Sequence, residues 1–517
     1  MKFANILATQ GLIKKFESRG VLRSHRLKSF LNSELLTSQL GFGTYRVHVD
    51  SKEHETAMIV ALQSGVNLID TSSNYGLGGS EELISNVLDK MSKEDSRDSF
   101  IIITKSGYLQ GEIFEYLKQL DQVEIKDLDV VKVSSNCWHS IHPDILKMQI
   151  DQSFKRMKID GIDALLLHNP EYYLQDCFSQ KIDVEIARKE FYKRIKKAFL
   201  FLEGQVQENK IKYYGVSSNS MCSDLSSFDQ VSLVKLNEIA IECAKELYAN
   251  EKHHFQVIQF PCNLLESNGI IHKNQLYKKA TFSVMELANH LKLDVLFNRP
   301  LNAFFNGTMV RLAGGEFNPN INYKLEIEQV FLNISKLENT IKIYFKNHSK
   351  VLKNMQKTAK RSGFFDVSSS LPNFVENEHN NEQYFQMVQS WLWPYISSSL
   401  DCLHKFFEGD DYFDLSQFTN DYLKTFDKLE GFVVSRNNLL HEITNLKPLR
   451  DVLNISLSDS ISQCALNLLA SIKGQPIILN GMRQIDYIKD STSILIEDDI
   501  SNSEEILKEI DSVYKKN

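Results

Sequence analysis

The chain has 517 residues, 42% of them hydrophobic and 24% charged, with a formal net charge of −7. That length suits one large domain with an insertion, or two to three domains, of ordinary globular composition. The acidic balance, without a large basic block, argues against nucleic acid as a partner, and no apolar run approaches the roughly 18 residues of a membrane span. Seven scattered cysteines without paired spacing argue against a metal site or a disulfide framework and fit a reducing, cytoplasmic setting.

The first 30 residues carry Lys2, Lys14, Lys15, Arg19, Arg23, Arg26 and Lys28 against Glu17 alone. This reads as a plain solvated extension, with an organellar targeting segment as the alternative. Beyond it, apolar runs alternate with amphipathic segments. The runs predict strands near Gln39–Phe42 and at Val66–Ile69, Ser99–Thr104, Ala164–Leu167, Tyr213–Val216, Gln256–Phe260, Val295–Asn298 and Pro476–Leu479. Helical periodicity lies between them, at Glu53–Ser64, Ser80–Met91, Pro143–Lys158, Phe191–Glu208 and Phe282–Leu291. Repeated strand–helix–strand units mean parallel pairing with right-handed crossovers. Eight strands without a dinucleotide fingerprint favour a closed α/β barrel, the (β/α)8 or TIM barrel, over an open sheet.

Residues 306–450 break the rhythm. Long helical patterns at Tyr323–Lys360 and Glu382–Phe407 and the aromatic cluster WLWPY predict a packed helical insertion after strand 7. The stretch Gly363–Glu382, rich in Ser, Asn and Glu, is expected to be an exposed loop. The expected organisation is an N-terminal extension (1–26), a barrel (27–305 and 451–500), the insertion (306–450) and a tail (501–517). An insertion at that point follows a strand end on the barrel's C-terminal face, so it is expected to shape a substrate mouth or to dock a protein partner.

The strand ends carry the polar groups. VNLIDTSSNYGLGGSEE puts Asp70 at the end of an apolar run and Tyr75 five residues on. Lys105 follows FIIIT, His168 follows DALLL, and Ser217 and Ser218 follow YYGV. Each has an ordinary structural explanation alone, but in a parallel barrel all these ends converge on one face. The GLGG after Tyr75 lacks the lysine of a phosphate loop; it reads as a tight turn, with Ser80 capping the next helix.

Taken together, these motifs resemble the aldo/keto reductase family over roughly Leu27–Ala303 and Leu453–Asp490, in family order. LGFGTY resembles its opening turn, DTSSNYGLGGSE its aspartate–tyrosine signature, ITKSG its lysine strand and LLLHNP its histidine strand. GVSS and VIQFPCNLL resemble its nicotinamide-contacting segments, and PIILNGMRQIDYI its final strand and adenosine-phosphate loop. The resemblance implies an NADP(H)-dependent reductase, with NAD(H) possible, acting on a small carbonyl substrate or on the alcohol in reverse. It implies catalytic roles for Asp70, Tyr75, Lys105 and His168, and cofactor contacts from Gly43, Thr44, Tyr45, Ser217, Ser218, Gln259, Pro300, Leu301, Gly481, Met482 and Arg483. The alternative is a cofactor-binding regulatory or docking protein with little turnover.

The chemistry explains the set. Hydride addition to a carbonyl carbon leaves an alkoxide-like oxygen that needs a proton, and a free tyrosine, pKa near 10, is a poor acid at neutral pH. Lys105 is expected to lower the Tyr75 pKa, Asp70 to hold Lys105 charged and aimed, and His168 to orient the carbonyl. Arg483 is placed to pair with a 2′-phosphate. Four departures stand out, the first being Ser218 where an Asn is common after the Ser of the nicotinamide turn. Gln110–Val131 adds material between Lys105 and His168. NRPLN replaces an aromatic-Ser-Pro-Leu segment. Tyr487 and Ser491 stand where Gln and Asn are common.

Overall fold

The computed structural model describes residues 2–91, 95–377, 380–407 and 413–515. Eight parallel strands close into a barrel in sequential order: β1 (Leu40–Gly43), β2 (Leu68–Asp70), β3 (Ile101–Ser106), β4 (Ile162–His168), β5 (Ile211–Ser217), β6 (Phe255–Pro261), β7 (Asp294–Asn298) and β8 (Ile477–Asn480). All eight expected strands are present. The crossover helices start where the sequence supplies caps: Ser51 accepts from the His54 N–H, Pro143 opens its helix, and Ser283 forms a reciprocal capping box with Glu286.

Strand parity decides what faces the barrel axis. Leu68, Ile101, Ile103, Ala164, Leu166, Tyr213, Val257, Leu296, Ile477 and Leu479 form one buried cluster. Side chains alternate along a strand, so continuing this inward set by two residues reaches Asp70, Lys105, His168, Gln259 and Asn298. The interior is therefore mainly apolar below a polar last layer, with Asp294 at the base accepting the Leu31 N–H at 2.8 Å.

The base is closed by an antiparallel hairpin, Leu27–Phe30 with Leu35–Ser38, whose Phe30, Leu31 and Leu35 join the interior cluster. The N-terminal segment is not the solvated extension that its charges suggested. Residues Ile6–Ser18 form a helix that buries Thr9, Leu12, Ile13 and Phe16, while its lysines lie on the remaining faces. The Ala4 N–H donates to Asp163 Oδ1 at 2.8 Å, tying the segment to β4.

The chain divides into two compact units, Met1–Leu312 with Ile455–Asn517, and Ala313–Asn454. A short antiparallel hairpin, Asn302–Phe305 with Thr308–Arg311, lies within the first. The second is helical with its own core. Helix Tyr323–Asn347 buries Ile327, Val330, Ile334, Ile341 and Phe345, and helix Leu415–His441 buries Phe418, Tyr422, Phe426, Leu429 and Val433, both at three- and four-residue spacing. Two π turns, Val388–Leu392 and Glu442–Leu446, stand just before Pro394 and Pro448, whose missing N–H groups break the regular ladder.

The expected loop at Gly363–Glu382 is instead largely packed; residues 378 and 379 of it lie outside the described set. Phe364, Phe365, Val367, Leu371 and Val375 are core residues, and Leu371–Asn377 is helical. The reason is a buried acceptor. Glu338 takes the Val367 N–H at 2.8 Å, the Ser368 N–H at 3.2 Å and the Tyr422 hydroxyl at 3.0 Å. The polar composition of the segment thus serves a buried carboxylate rather than solvent.

Asp163, fully buried, also accepts the Ile102 N–H and pairs with Arg97, each at 2.8 Å. Removing one partner of a buried pair costs about 3–5 kcal/mol. Asp163→Ala is therefore expected to lower unfolding free energy by about that amount. Denaturant titration measures it, and a change within error would contradict this account of the base.

Candidate active site

The last inward layer forms one hydrogen-bonded chain. Lys105 Nζ, fully buried, donates to Asp70 Oδ2 at 2.7 Å, to the Thr71 carbonyl at 2.9 Å and to Tyr75 Oη at 3.3 Å. These three acceptors use all three ammonium hydrogens. The other Asp70 oxygen accepts from Gln259 Nε2 at 2.8 Å. Gln259 Oε1 accepts in turn from Ser217 Oγ at 3.0 Å and from Asn298 Nδ2 at 3.1 Å. Strands β2, β3, β5, β6 and β7 are thus joined at their C-terminal ends by one polar network.

Tyr75 reaches this network by an unusual turn. Gly76, Leu77 and Gly78 all have positive φ, at 55°, 54° and 99°, which makes a left-handed turn directly after Tyr75. A Cβ on Gly79 would lie 2.4 Å from His48 Nε2, so the turn is also sterically confined. Ser80 does not cap the following helix as the sequence suggested. Gly78 occupies the cap position, and the Ser80 hydroxyl donates to the Val47 carbonyl at 2.7 Å with the Thr44 carbonyl also within reach at 3.0 Å, binding this turn to the one after β1.

His168 lies edge-on to the Tyr75 ring, 5.9 Å between centroids, and its Nδ1 is 3.0 Å from Ser72 Oγ. Its carbonyl receives a hydrogen bond from His139 Nε2 at 2.7 Å. Burial, with Lys105 and His139 nearby, drives the His168 pKa well below the ordinary value, so the ring is neutral. Burial pushes the Asp70 carboxyl up, opposed by Lys105 and Gln259. Lys105 is held above its usual value: burial opposes its charge most strongly, and Asp70 and Tyr75 together outweigh that. Burial raises the Tyr75 phenol, against the pull of Lys105. The expected net lowering of Tyr75 is therefore absent. Lys105 offsets only part of the burial effect, and the phenol holds its proton.

The remaining expected residues fall into two groups. Gly43 pairs in register with Asp70, the Thr44 N–H donates to the Asp70 carbonyl at 3.0 Å, and the Tyr45 ring meets Tyr75 edge-on at 5.3 Å. The Ser218 N–H donates to the Gln259 carbonyl, and Pro300 is buried beside a half-buried Leu301. Gly481 stands close to Gly43, and Met482 is fully buried. Arg483 belongs to a cluster the sequence only half revealed. Tyr487 lies against Arg311 from the short hairpin, 5.2 Å from guanidinium to ring, and Arg311 and Arg483 outweigh burial to lower its phenol pKa. Ser491 is turned inward and accepts from Asn480 Nδ2 at 2.7 Å.

Sequence reasoning missed Tyr108, Ser72 and Asn298 as neighbours of the network. Tyr108 stacks edge-on against His168 at 4.7 Å, and its hydroxyl lies between Tyr172 Oη and Asn169 Nδ2. Residues flanking the added segment supply this wall: Tyr108 and His139 are register partners in a small antiparallel sheet backed by Trp138 and, from the segment itself, Ile113, Phe114 and Leu117. The signal available was ITKSGY, which puts an aromatic three residues past the lysine.

Two buried side-chain atoms in this layer, Thr44 Oγ1 and Asn298 Oδ1, have no hydrogen-bond partner among the described residues. Buried acceptors of that kind at strand ends suit a ligand with donor groups, such as the carboxamide of a nicotinamide. A Cβ on Gly481 would meet nothing nearer than the Gly43 carbonyl at 4.0 Å, so space lies open there for close approach of such a ligand. The residues present therefore fit a nicotinamide dinucleotide.

Burial raises the Glu171 carboxyl to about 7, opposed by the Asn219 N–H that donates to it at 2.7 Å. A folded-state value above the unfolded one stabilises the fold below about pH 4.5 and loses that stability as pH rises through about 7. Buried His139, lowered to about 4, works in the opposite sense in part of that window. The comparison must therefore be with Glu171→Gln, in which His139 is unchanged. Relative to that variant, the wild type is expected to lose about 3 kcal/mol between pH 4.5 and 8. Urea titrations across this range measure the difference, and a constant difference would refute the assignment.

The model of the aldo/keto reductase family matches residues 39–265. The chain is 24% identical over 151 residues to the aldo-keto reductase YhdN of Bacillus subtilis, 28% of this chain and 38% of that protein. It is 23% identical over 147 residues to an NADH-specific methylglyoxal reductase of Escherichia coli, 26% of this chain and 39% of that protein. The matches thus span about two fifths of the length of these curated relatives. A glycerol dehydrogenase structure from Gluconobacter oxydans aligns at 14% identity over 96% of this chain and 98% of its own, with a TM-score of 0.46. Residues 39–265, which carry the first six barrel strands, thus match the aldo/keto reductase family.

Proposed function

We propose that the protein is an NADP(H)-dependent oxidoreductase that reduces an aldehyde or ketone to an alcohol, or runs the reverse reaction. The observation that supports this most is Lys105 Nζ bridging Asp70 and the Tyr75 hydroxyl, with neutral His168 beside the same ring. A bound nicotinamide supplies the hydride. The chain's own groups handle the oxygen. Tyr75 gives its proton to the developing alkoxide, and the fixed ammonium of Lys105 stabilises the phenolate left behind. Asp70 keeps Lys105 charged and aimed without titrating itself. His168 orients the carbonyl, and Tyr108 walls the imidazole. Ser217, Gln259 and Asn298 hold the carboxamide, with Thr44 and Gly43 at the neighbouring turn.

The arginine pair around Tyr487 favours NADP(H). Two guanidinium groups from different elements suit a 2′-phosphate and offer nothing comparable to a 2′-hydroxyl. The named NADH specificity of the E. coli relative makes this a point to test. A charge-assisted hydrogen bond is worth about 1.5–3 kcal/mol. Arg311→Ala and Arg483→Ala are each expected to weaken NADPH binding roughly tenfold or more while leaving NADH binding nearly unchanged. Fluorescence titration with both cofactors checks this, and equal losses for the two would contradict it.

A second reading is a cofactor-binding docking protein with little turnover, favoured by the separate helical unit with its own core. Mutation of Tyr75 tests the enzyme reading. Tyr75→Phe is expected to cut kcat about 10²- to 10⁴-fold, the usual share of a general acid, with NADPH affinity retained. Steady-state loss of nicotinamide absorbance with an aldehyde panel measures it. If the phenylalanine variant turned over like wild type, the proton-donor role would be withdrawn.

A further inference from the structure

Ser72 is fully buried two residues after Asp70, and nothing in the mechanism above uses it. Its Oγ is 3.0 Å from His168 Nδ1, 2.6 Å from the Asn74 side-chain amide and 3.4 Å from the Lys105 carbonyl. A serine hydroxyl has one hydrogen, so only one of these three positions receives it. The Lys105 carbonyl is the weakest candidate, because it is farthest and already accepts the Ser73 N–H at 3.1 Å. The choice lies between His168 Nδ1 and Asn74, and it determines what His168 presents on its other side.

A neutral imidazole carries one N–H, and the partner of one ring nitrogen fixes the state of the other. If Ser72 gives its hydrogen to Asn74, Nδ1 must be the protonated nitrogen, and Nε2 presents a bare lone pair. If Ser72 gives its hydrogen to Nδ1, Nε2 carries the N–H. The second arrangement needs Asn74 to turn its amide so that Nδ2 donates to Ser72 Oγ. Amide oxygen and nitrogen are distinguished only by their hydrogen bonds, and no other side-chain contact of Asn74 among the described residues opposes the turn.

The surroundings decide between the two. All three hydrogens of Lys105 Nζ are committed to Asp70, Thr71 and Tyr75, so the ammonium has none for a bare Nε2. A carbonyl oxygen has two lone pairs. With Tyr75 donating to one, an Nε2–H fills the other, whereas a bare Nε2 repels it. We infer that Ser72, backed by the Asn74 amide, is a positioning residue that holds His168 in the Nε2–H tautomer suited to a carbonyl oxygen. This rests on the reductase reading, because a substrate carbonyl is what an Nε2–H serves, whereas the spectrum that tests it reads the tautomer independently of turnover.

The tautomer is directly observable. Long-range nitrogen–proton correlation spectra of NADPH-saturated protein, labelled with ¹⁵N-histidine, distinguish the two forms, and loss of a signal set in His168→Gln identifies His168. The wild type is expected to show Nε2–H. Ser72→Ala should give a mixture with Nδ1–H and lower kcat about tenfold, the equivalent of one hydrogen bond, with NADPH affinity unchanged. Ser72→Thr, which restores a hydroxyl, should recover both. An Nδ1–H form in wild type, or an unaltered tautomer in Ser72→Ala, would overturn the inference. If no carbonyl compound were reduced yet the tautomer still followed residue 72, the reductase reading would fall and the role of Ser72 would stand.

Discussion

The site depends on an ion pair buried where the barrel changes from apolar to polar. Taking a carboxylate and an ammonium out of water costs several kcal/mol each, recovered only when every remaining hydrogen-bonding position is filled. Lys105 fills all three donor positions, and each Asp70 oxygen receives a donor, from Lys105 and from Gln259. The pair leaves little freedom to anything attached to it. Tyr75 is fixed through Lys105, and Ser217 and Asn298 are fixed through Gln259. The groups proposed to handle the proton and to hold a carboxamide therefore share one rigid frame, as electrostatic preorganisation requires.

Much of this was legible in the sequence because a barrel strand has a strict two-residue period. Once Ile101 and Ile103 face the axis, Lys105 must as well, and the same step leads from Leu166 to His168 and from Val257 to Gln259. Apolar runs ending in a polar residue therefore expose both the strand and its functional end. Loops follow no such period. The Ser72–His168 contact, the Tyr108 wall and the approach of Arg311 to Tyr487 each bring a residue outside the barrel strands to a partner distant in sequence, which no local pattern predicts. The direction of the Tyr75 shift was misjudged for a related reason. Sequence identifies the neighbouring charge but not the depth of burial that opposes it.

Two further misreadings share a cause. Charge at the N-terminus and polarity at Gly363–Glu382 suggested solvent exposure, yet both segments pack. In the first, one helix face carries the lysines while another buries Leu12, Ile13 and Phe16. In the second, buried Glu338 recruits the backbone and hydroxyl of a serine-rich turn, with Phe364 and Phe365 inserted on either side into the helical core. Composition records average polarity, whereas burial is decided residue by residue. The helical unit is accordingly legible as helical but not in its internal contacts.

The central claim is that the buried pair organises proton donation. Removing both charges together avoids leaving either one stranded, so Lys105→Met combined with Asp70→Asn tests chemistry with the least damage to folding. Single-turnover absorbance of NADPH-loaded protein, mixed rapidly with a reducible aldehyde, measures hydride transfer apart from cofactor release. The account predicts rapid oxidation of NADPH by the wild type and a loss of at least about a hundredfold in the double variant, with NADPH still bound. Hydride transfer at the wild-type rate without the pair would contradict it.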